Sequence, residues 1–323
     1  MTRIRICEDL EECRSIWQRT WPHDSVFDLW DVRWCFAQNY HNTPYFIIAE
    51  GNNNIEGLIA LCKLKEQYGY SHFPGELWQG KTWLEQNKII AATMHTAKEL
   101  YDAVPEPSHI RYLLKTPTLK TASFMGVDET GYILMPRQYN FSFDLFFQEF
   151  SGKSRKKLHR EISCLEKAGI SYRYNRLDDI EYLFCMNLNN FGPWSYFYEQ
   201  RFKTSFEHLI AFLSARGYLR ITTILIGGTI AAVDFGAVWN NTYTVLAGGT
   251  NPEFPGIAKV INFHHIRWAY ANRIELVDFL CGDFGWKKRF HLTPRPLYEI
   301  RKPLIGRACT LPVQKESTHA CVY

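Results

Sequence analysis

Residues 219–290 read LRITTILIGGTIAAVDFGAVWNNTYTVLAGGTNPEFPGIAKVINFHHIRWAYANRIELVDFLCGDFGWKKRF, and this stretch decides the fold. Leu219 to Ile226 and Thr229 to Trp239 are rich in β-branched residues and flank Gly227-Gly228, a hairpin turn pair. Asn240-Asn241 turns the chain into a third strand, Thr242 to Ala247. The loop GGTNPEFPG, Gly248 to Gly256, opens a helix that should run from about Gly256 to Asn272. A strand Ile274 to Leu280, a short helix near Trp286 and a strand Pro296 to Arg301 follow. A glycine turn that opens a helix between two strands offers free N–H groups and the positive end of a dipole to an anion. Many loops end on one glycine, so this turn gains meaning only from its neighbours.

Those neighbours are ionisable. On the strand Thr229 to Trp239, Ala232, Asp234 and Gly236 share one face, and the glycine leaves room against the backbone. Asp278 shares a face with Ile274, Leu276 and Leu280, so its carboxylate must be paired or shifted in pKa. Either aspartate could serve as general base for an amine, or could be held in a structural ion pair. Asp283 can cap the last short helix, and Lys287, four residues on, can reach a phosphate or a carboxylate. His264 falls on a helix face with Ile257, Val260, Ile261 and Trp268 and reads as a core histidine. His265 reads as less buried. No Ser-His-Asp or Cys-His relay is visible in the spacing, so the expected chemistry is direct transfer.

Working outward, the preceding segment FSFDLFFQEFSGKSRKKLHREISCLEKAGI has an apolar helix over Phe141 to Phe150. A longer basic helix follows, capped by Ser151 or Ser154 and ending at Gly169. Lys153, Arg155, Lys156, Lys157, His159 and Arg160 form the strongest charge cluster of the chain, either a solvated face or a positive rim for phosphates. Helices are expected over Leu177 to Asn187 and Ser195 to Arg216. In the first half, Asp9 caps a helix with Leu10, Cys13, Ile16 and Trp17 at helical spacing, and a second covers Val26 to Asn39. Tyr45 to Glu50 and Ile55 to Leu64 form a strand pair around GNNN, followed by a helix from Ile89 to Ala103 and a strand Ile110 to Leu114. The two halves share an order of elements, which suggests duplication.

The 323 residues carry 46% hydrophobic and 22% charged side chains, enough for two cores and too apolar for disorder. The 15% aromatic content fits bulky cores, with an aromatic groove for a long ligand as the alternative. A net charge of +4 argues against a dedicated duplex-binding protein. Nine cysteines without a CxxC resemble neither a zinc site nor a disulfide framework, and no metal is expected. No apolar run of membrane-spanning length and no leader pattern occur, so a cytoplasmic location is expected.

The stretch FPGIAKVINFHHIRWAYANRIELVDFLCGDFGWKKRF resembles the end of the FemAB/CelD-like branch of the GNAT superfamily. Pro255-Gly256, Asp278-Phe279 and Gly282-Asp283 with Lys287 stand where that branch has its Pro-Gly loop, Asp-Phe strand and Gly-Asp-x-x-Tyr-Lys string. SGKSRKKLHREISCLEKAG resembles its linking helix. The resemblance covers most of the chain and implies an α/β (α+β) fold of two tandem GNAT-like domains, each a mostly antiparallel twisted sheet flanked by helices. The boundaries would be 1–140, a linking helix 141–175, a donor-binding domain 176–305 and a tail 306–323.

It further implies an N-acyltransferase using acyl-CoA or an acyl-carrier protein, with a small-molecule amine or a peptide as acceptor. The pantetheine would lie between Thr242 to Ala247 and Ile274 to Leu280. Ala247, Gly248, Gly256, Ile257, Ala258 and Lys259 would hold the donor, and Asp283, Trp286 and Lys287 would face the substrate. Trp286 replaces the branch's tyrosine, so a hydroxyl to protonate the leaving thiolate would come from Tyr243 or Tyr298. Two other readings compete: a Fem-type enzyme with an aminoacyl-tRNA donor, to which the basic helix lends weight, and a binding module that kept the fold without the chemistry.

Overall fold

The computed structural model describes residues 2–51 and 54–304, and the expected tail 306–323 lies outside them. Two compact units are present, and neither is continuous in sequence. Among the described residues, unit 1 gathers 2–130, 204–209 and 296–304, and unit 2 gathers 131–203 and 210–295.

Unit 1 begins with β1 (Arg3–Cys7), α1 (Leu10–Thr20) and α2 (Trp30–Tyr40). Asp9 caps α1 as expected, accepting the Glu12 N–H at 2.8 Å. The helix expected from Val26 starts later, because a single 3-10 turn, Val26–Asp28, ends in extended backbone at Leu29. Next come β2 (Thr43–Gly51), β3 (Asn54–Lys63), β4 (Tyr70–His72) and β5 (Ile90–Ala91). The helix α3 (Met94–Ala103) is shorter than expected, because Ile90 and Ala91 pair with β3 and Thr93 caps the helix behind them. β6 (Ser108–Leu113) lies parallel to β4, while β1 to β4 are mutually antiparallel. Residues 298–302 close this sheet against β6. Trp17 stacks on Trp21 and Trp30 on Phe73, at centroid distances of 4.0 and 5.1 Å. Much of the high aromatic content is therefore core.

Unit 2 takes its first strand residues from the end of β7 (Gly126–Leu134), followed by α4 (Phe143–Gln148) and α5 (Gly152–Lys167). Ser151 caps α5 through the Ser154 N–H, and Gly169 (φ 81°) turns the chain into β8 (Ile170–Tyr174). Then follow α6 (Asp179–Phe191), α7 (Gln200–Ala215, of which 204–209 count with unit 1), β9 (Leu219–Ile226), β10 (Thr229–Trp239) and β11 (Thr242–Thr250). The chain continues through α8 (Ile257–Ala271), β12 (Leu276–Cys281), α9 (Gly285–Arg289) and β13 (Thr293–Lys302). β8 to β11 are antiparallel neighbours, β11 is parallel to β12, and β12 is closed by an antiparallel strand, β7.

Unit 1 and unit 2 thus share one order, strand, two helices, three strands, helix, strand, and the same pairing directions. Unit 1 adds only the two-residue β5. In unit 2, α8 covers the sheet face that carries Tyr243, Val245, Val277 and Phe279, packing Phe263 and Ile266 against them.

Candidate active site

The centre of unit 2 is a fork between two parallel strands. β11 and β12 pair over only three positions, Thr242↔Leu276, Tyr243↔Val277 and Thr244↔Asp278, and then part. Each strand has a device that bends it away. In β11, Phe235 faces Ala247 while Gly236 faces Val245, so Leu246 is an extra residue and the strand kinks there. In β12, Leu280 adopts a left-handed conformation (φ 59°), which an L-residue holds only when its surroundings enforce it.

Those surroundings are two side chains. Asp278 accepts the Leu280 N–H at 2.8 Å with one carboxylate oxygen and pairs with Arg295 through the other. The Lys287 ammonium, 1% exposed, donates to the carbonyls of Phe279, Leu280 and Cys281 at 2.8, 3.0 and 2.8 Å. An ammonium has three N–H groups, and all three are directed at the turned end of β12. The expectation that Lys287 reaches a phosphate or carboxylate of a substrate is corrected accordingly: it braces the strand.

A second constellation lies under α8. Asp234 on β10 is fully buried, and its Oδ2 lies 3.0 Å from His265 Nε2. His265 Nδ1 lies 3.3 Å from the Tyr243 hydroxyl, and both of these residues are also fully buried. Burial holds the Asp234 carboxyl well above the ordinary carboxylate range. Burial, and then the charge of Arg220, holds the His265 imidazole well below its ordinary value. Both shifts disfavour charge on this buried pair, and one hydrogen bond joins the carboxyl to Nε2. Asp234, expected from the sequence as a possible general base, is thus enclosed against His265, and Asp278, the other candidate, is held between Arg295 and a backbone N–H.

The glycine beside Asp234 has a definite role. A Cβ on Gly236 would lie 2.3 Å from the Thr244 carbonyl oxygen and 2.6 Å from the Tyr243 ring, so only glycine lets that ring lie across β10. Arg220, 6% exposed, stacks over Trp268 at 4.0 Å and donates to the Thr222 hydroxyl.

The other expected residues are distributed as follows. Ala247 and Gly248 pair with Phe235 and Asp234 on the far arm of the fork, and Asn187 of α6 donates to the Gly248 carbonyl at 3.1 Å. Gly256 sits at the start of α8 in a left-handed conformation (φ 87°). The N–H groups of Ile257 and Lys259 donate to the carbonyls of Phe254 and Gly256, so they tighten this turn. The Lys259 ammonium pairs with Glu161 of α5. Asp283 does not cap α9; it accepts from Tyr132 and Lys288, and these bonds hold its carboxyl below the ordinary range. Trp286 packs edge-on against Phe279 and Phe290. Tyr298 belongs to unit 1, where it pairs with Leu113 and lies under the Lys115 ammonium.

His265 was missed by the spacing argument, which turned His264 inward instead. His264 stacks on Tyr172 at 4.3 Å, and burial pushes it down to about 3. Among the described residues, no helix is long and apolar enough to cross a membrane, and no group of three His, Cys, Asp or Glu side chains is placed to hold a metal.

Residues 152–288 match the family model of the acetyltransferase (GNAT) domain. The fold resembles the solved structure of FemX, with 9% identity, 92% of this chain and 97% of that chain covered, and a TM-score of 0.59. It also resembles L-PGS from Bacillus licheniformis, with 11% identity, 94% of each chain covered and a TM-score of 0.53. A conserved protein of unknown function from Bacteroides thetaiotaomicron VPI-5482 gives 14% identity, 93% and 100% coverage and a TM-score of 0.52. At these identities the likeness is one of fold. No curated protein matches the chain.

Proposed function

We propose that the GNAT domain over residues 152–288 is an N-acyltransferase. It would take an acyl group held as a thioester on CoA or on a carrier's phosphopantetheine, and pass it to an amine of a small molecule or peptide. The observation that supports this reading is the fork: two bent strands whose parting leaves backbone amide groups to pair with an extended, amide-containing arm. Asp278, Arg295 and Lys287 keep the fork open, and β11 N–H groups beyond Thr244 would hold the oxyanion.

The amine attacks the thioester carbonyl carbon, the C–S bond breaks, and the leaving thiolate takes the Tyr243 hydroxyl proton. His265 Nδ1–H replaces that proton, and the Asp234 carboxyl restores His265 through Nε2. Water takes the proton that the amine loses, and an equivalent proton returns through Tyr243 and His265 to Asp234 before the next turnover. In this scheme Asp234 and Tyr243 keep a catalytic place, but as a proton supply.

The test is thiol release from a panel of acyl-CoA donors with amine acceptors, joined to native mass spectrometry with acyl-CoA mixtures and charged tRNA. Acyl-CoA retention and turnover support the reading, and Tyr243→Phe should cost about 10²-fold in kcat. Retention of neither donor class would overturn it.

A further inference from the structure

We propose that the exposed basic stripe of α5 is the dock of an acidic, helical carrier protein that delivers the acyl thioester, an inference that rests on the acyl-transfer reading above. The helix has two opposed faces. Leu158 is buried in the core under α8, and Ile162 and Leu165 pack on the core clusters of unit 2. Lys153, Lys156, Lys157 and Arg160 fall at i, i+3, i+4 and i+7 on the opposite side, and all four are exposed. They span about 10 Å, at about 1.5 Å of rise per residue.

This arrangement works against the helix that carries it. The cations crowd its N-terminal half, where the dipole is already positive, and its first turn holds no acidic residue. Like charges also sit one turn apart. Glu161 offers Lys157 a carboxylate at 3.9 Å, but the same carboxylate pairs with Lys259. A row of cations placed so unfavourably for its own helix is explained by an anionic partner.

Two observations choose the partner. The Glu161–Lys259 pair ties α5 to the first turn of α8, among the residues expected to hold the donor, so whatever docks on the stripe stands beside the donor site. The stripe is one helix wide and two turns long, on a chain of net charge +4. That footprint matches carboxylates at the same spacing along one acidic helix, whereas an RNA duplex engages phosphates across a broader basic surface.

The test uses the full chain and the variant Lys153→Glu/Lys156→Glu/Lys157→Glu/Arg160→Glu, whose fold is checked by circular dichroism. Labelled acidic acyl carrier protein is titrated by fluorescence anisotropy at two salt concentrations, and turnover is measured with palmitoyl-carrier and palmitoyl-CoA. Wild type should bind the carrier with a salt-dependent Kd. The variant should lose about tenfold or more in carrier affinity and in kcat/KM for palmitoyl-carrier, while staying within about twofold for palmitoyl-CoA. Equal carrier binding by variant and wild type overturns the dock. So does a tRNA acceptor hairpin that binds wild type more tightly than the carrier and is lost in the variant. Carrier binding that depends on the stripe without turnover of either thioester would sink the acyl-transfer reading alone. Palmitoyl-CoA turnover without carrier binding would sink the dock alone.

Discussion

Replacing Lys287 by Met keeps the length of the stem and deletes the ammonium that three carbonyls share. A hydrogen bond to a charged group contributes about 1.5–3 kcal/mol, so the gross loss is about 5–9 kcal/mol. Removing a charge from a site that is 1% exposed returns several kcal/mol of desolvation. The net cost should be about 2–4 kcal/mol, because the carbonyls of Phe279, Leu280 and Cys281 stay turned toward a thioether that has no proton to donate. For a unit of this size that is a fall in Tm of about 5–15 °C by calorimetry. Lys287→Arg should recover only part of it, since a planar fork cannot aim three N–H groups into a cone. Because the brace fixes one arm of the fork, the KM for the thioester should rise in protein that is still folded. A Lys287→Met variant that melts within about 1 °C of wild type and keeps its KM would refute the reasoning.

Asp234→Asn should lower kcat by about 10²-fold or more, since an amide can donate to His265 but cannot give up its proton in turnover. Stability moves the other way: the buried carboxyl has a raised pKa, so its contribution is full below the unfolded value and is lost as pH rises toward the folded one. Urea melts should show the variant gaining on wild type from acid to neutral pH; a constant gap would contradict this. Gly236→Ala places a methyl against the Thr244 carbonyl and should cost about 1–3 kcal/mol with a weakened donor KM, both absent if β10 can shift freely. In unit 1, burial, and then the Arg33 charge, pushes His72 down to about 3. Its contribution is full above the unfolded value and is lost as pH falls, about 1.4 kcal/mol per pH unit below roughly pH 6. His72→Gln should flatten that acid slope, read by Trp17 and Trp21, whose rings touch His72.

The strands and turns around the fork were legible because their signals are local. Gly227-Gly228 and Asn240-Asn241 fix two turns, and Asp234 and Gly236 alternate along β10 as the spacing predicts. The histidine assignment failed because α8 is apolar through most of its circumference. Asn262, Phe263, His265 and Ile266 are all buried along with the expected Ile257, Val260 and Ile261. On such a helix, spacing cannot say which of two adjacent histidines turns inward. β7 was not read as a partner of β12 because that pairing joins residues far apart in sequence, with no short-range signal.

Lys287 was the hardest residue to read, because a lysine is ordinarily exposed and nothing local announces the left-handed turn at Leu280 that gathers carbonyls around it. The same turn changes the meaning of the Gly-Asp-x-x-Trp-Lys string. Its lysine is committed to the backbone, its aspartate to Tyr132 and Lys288, and its tryptophan to Phe279 and Phe290. The buried lysine and the half-buried aromatic ring of the string hold the end of β12, while Asp283 is exposed beside Lys288. If the string is a brace, the acyl-transfer scheme proposed above would draw its hydroxyl from the other arm of the fork. Tyr243 is placed there, one residue before the strands part, with His265 and Asp234 behind it.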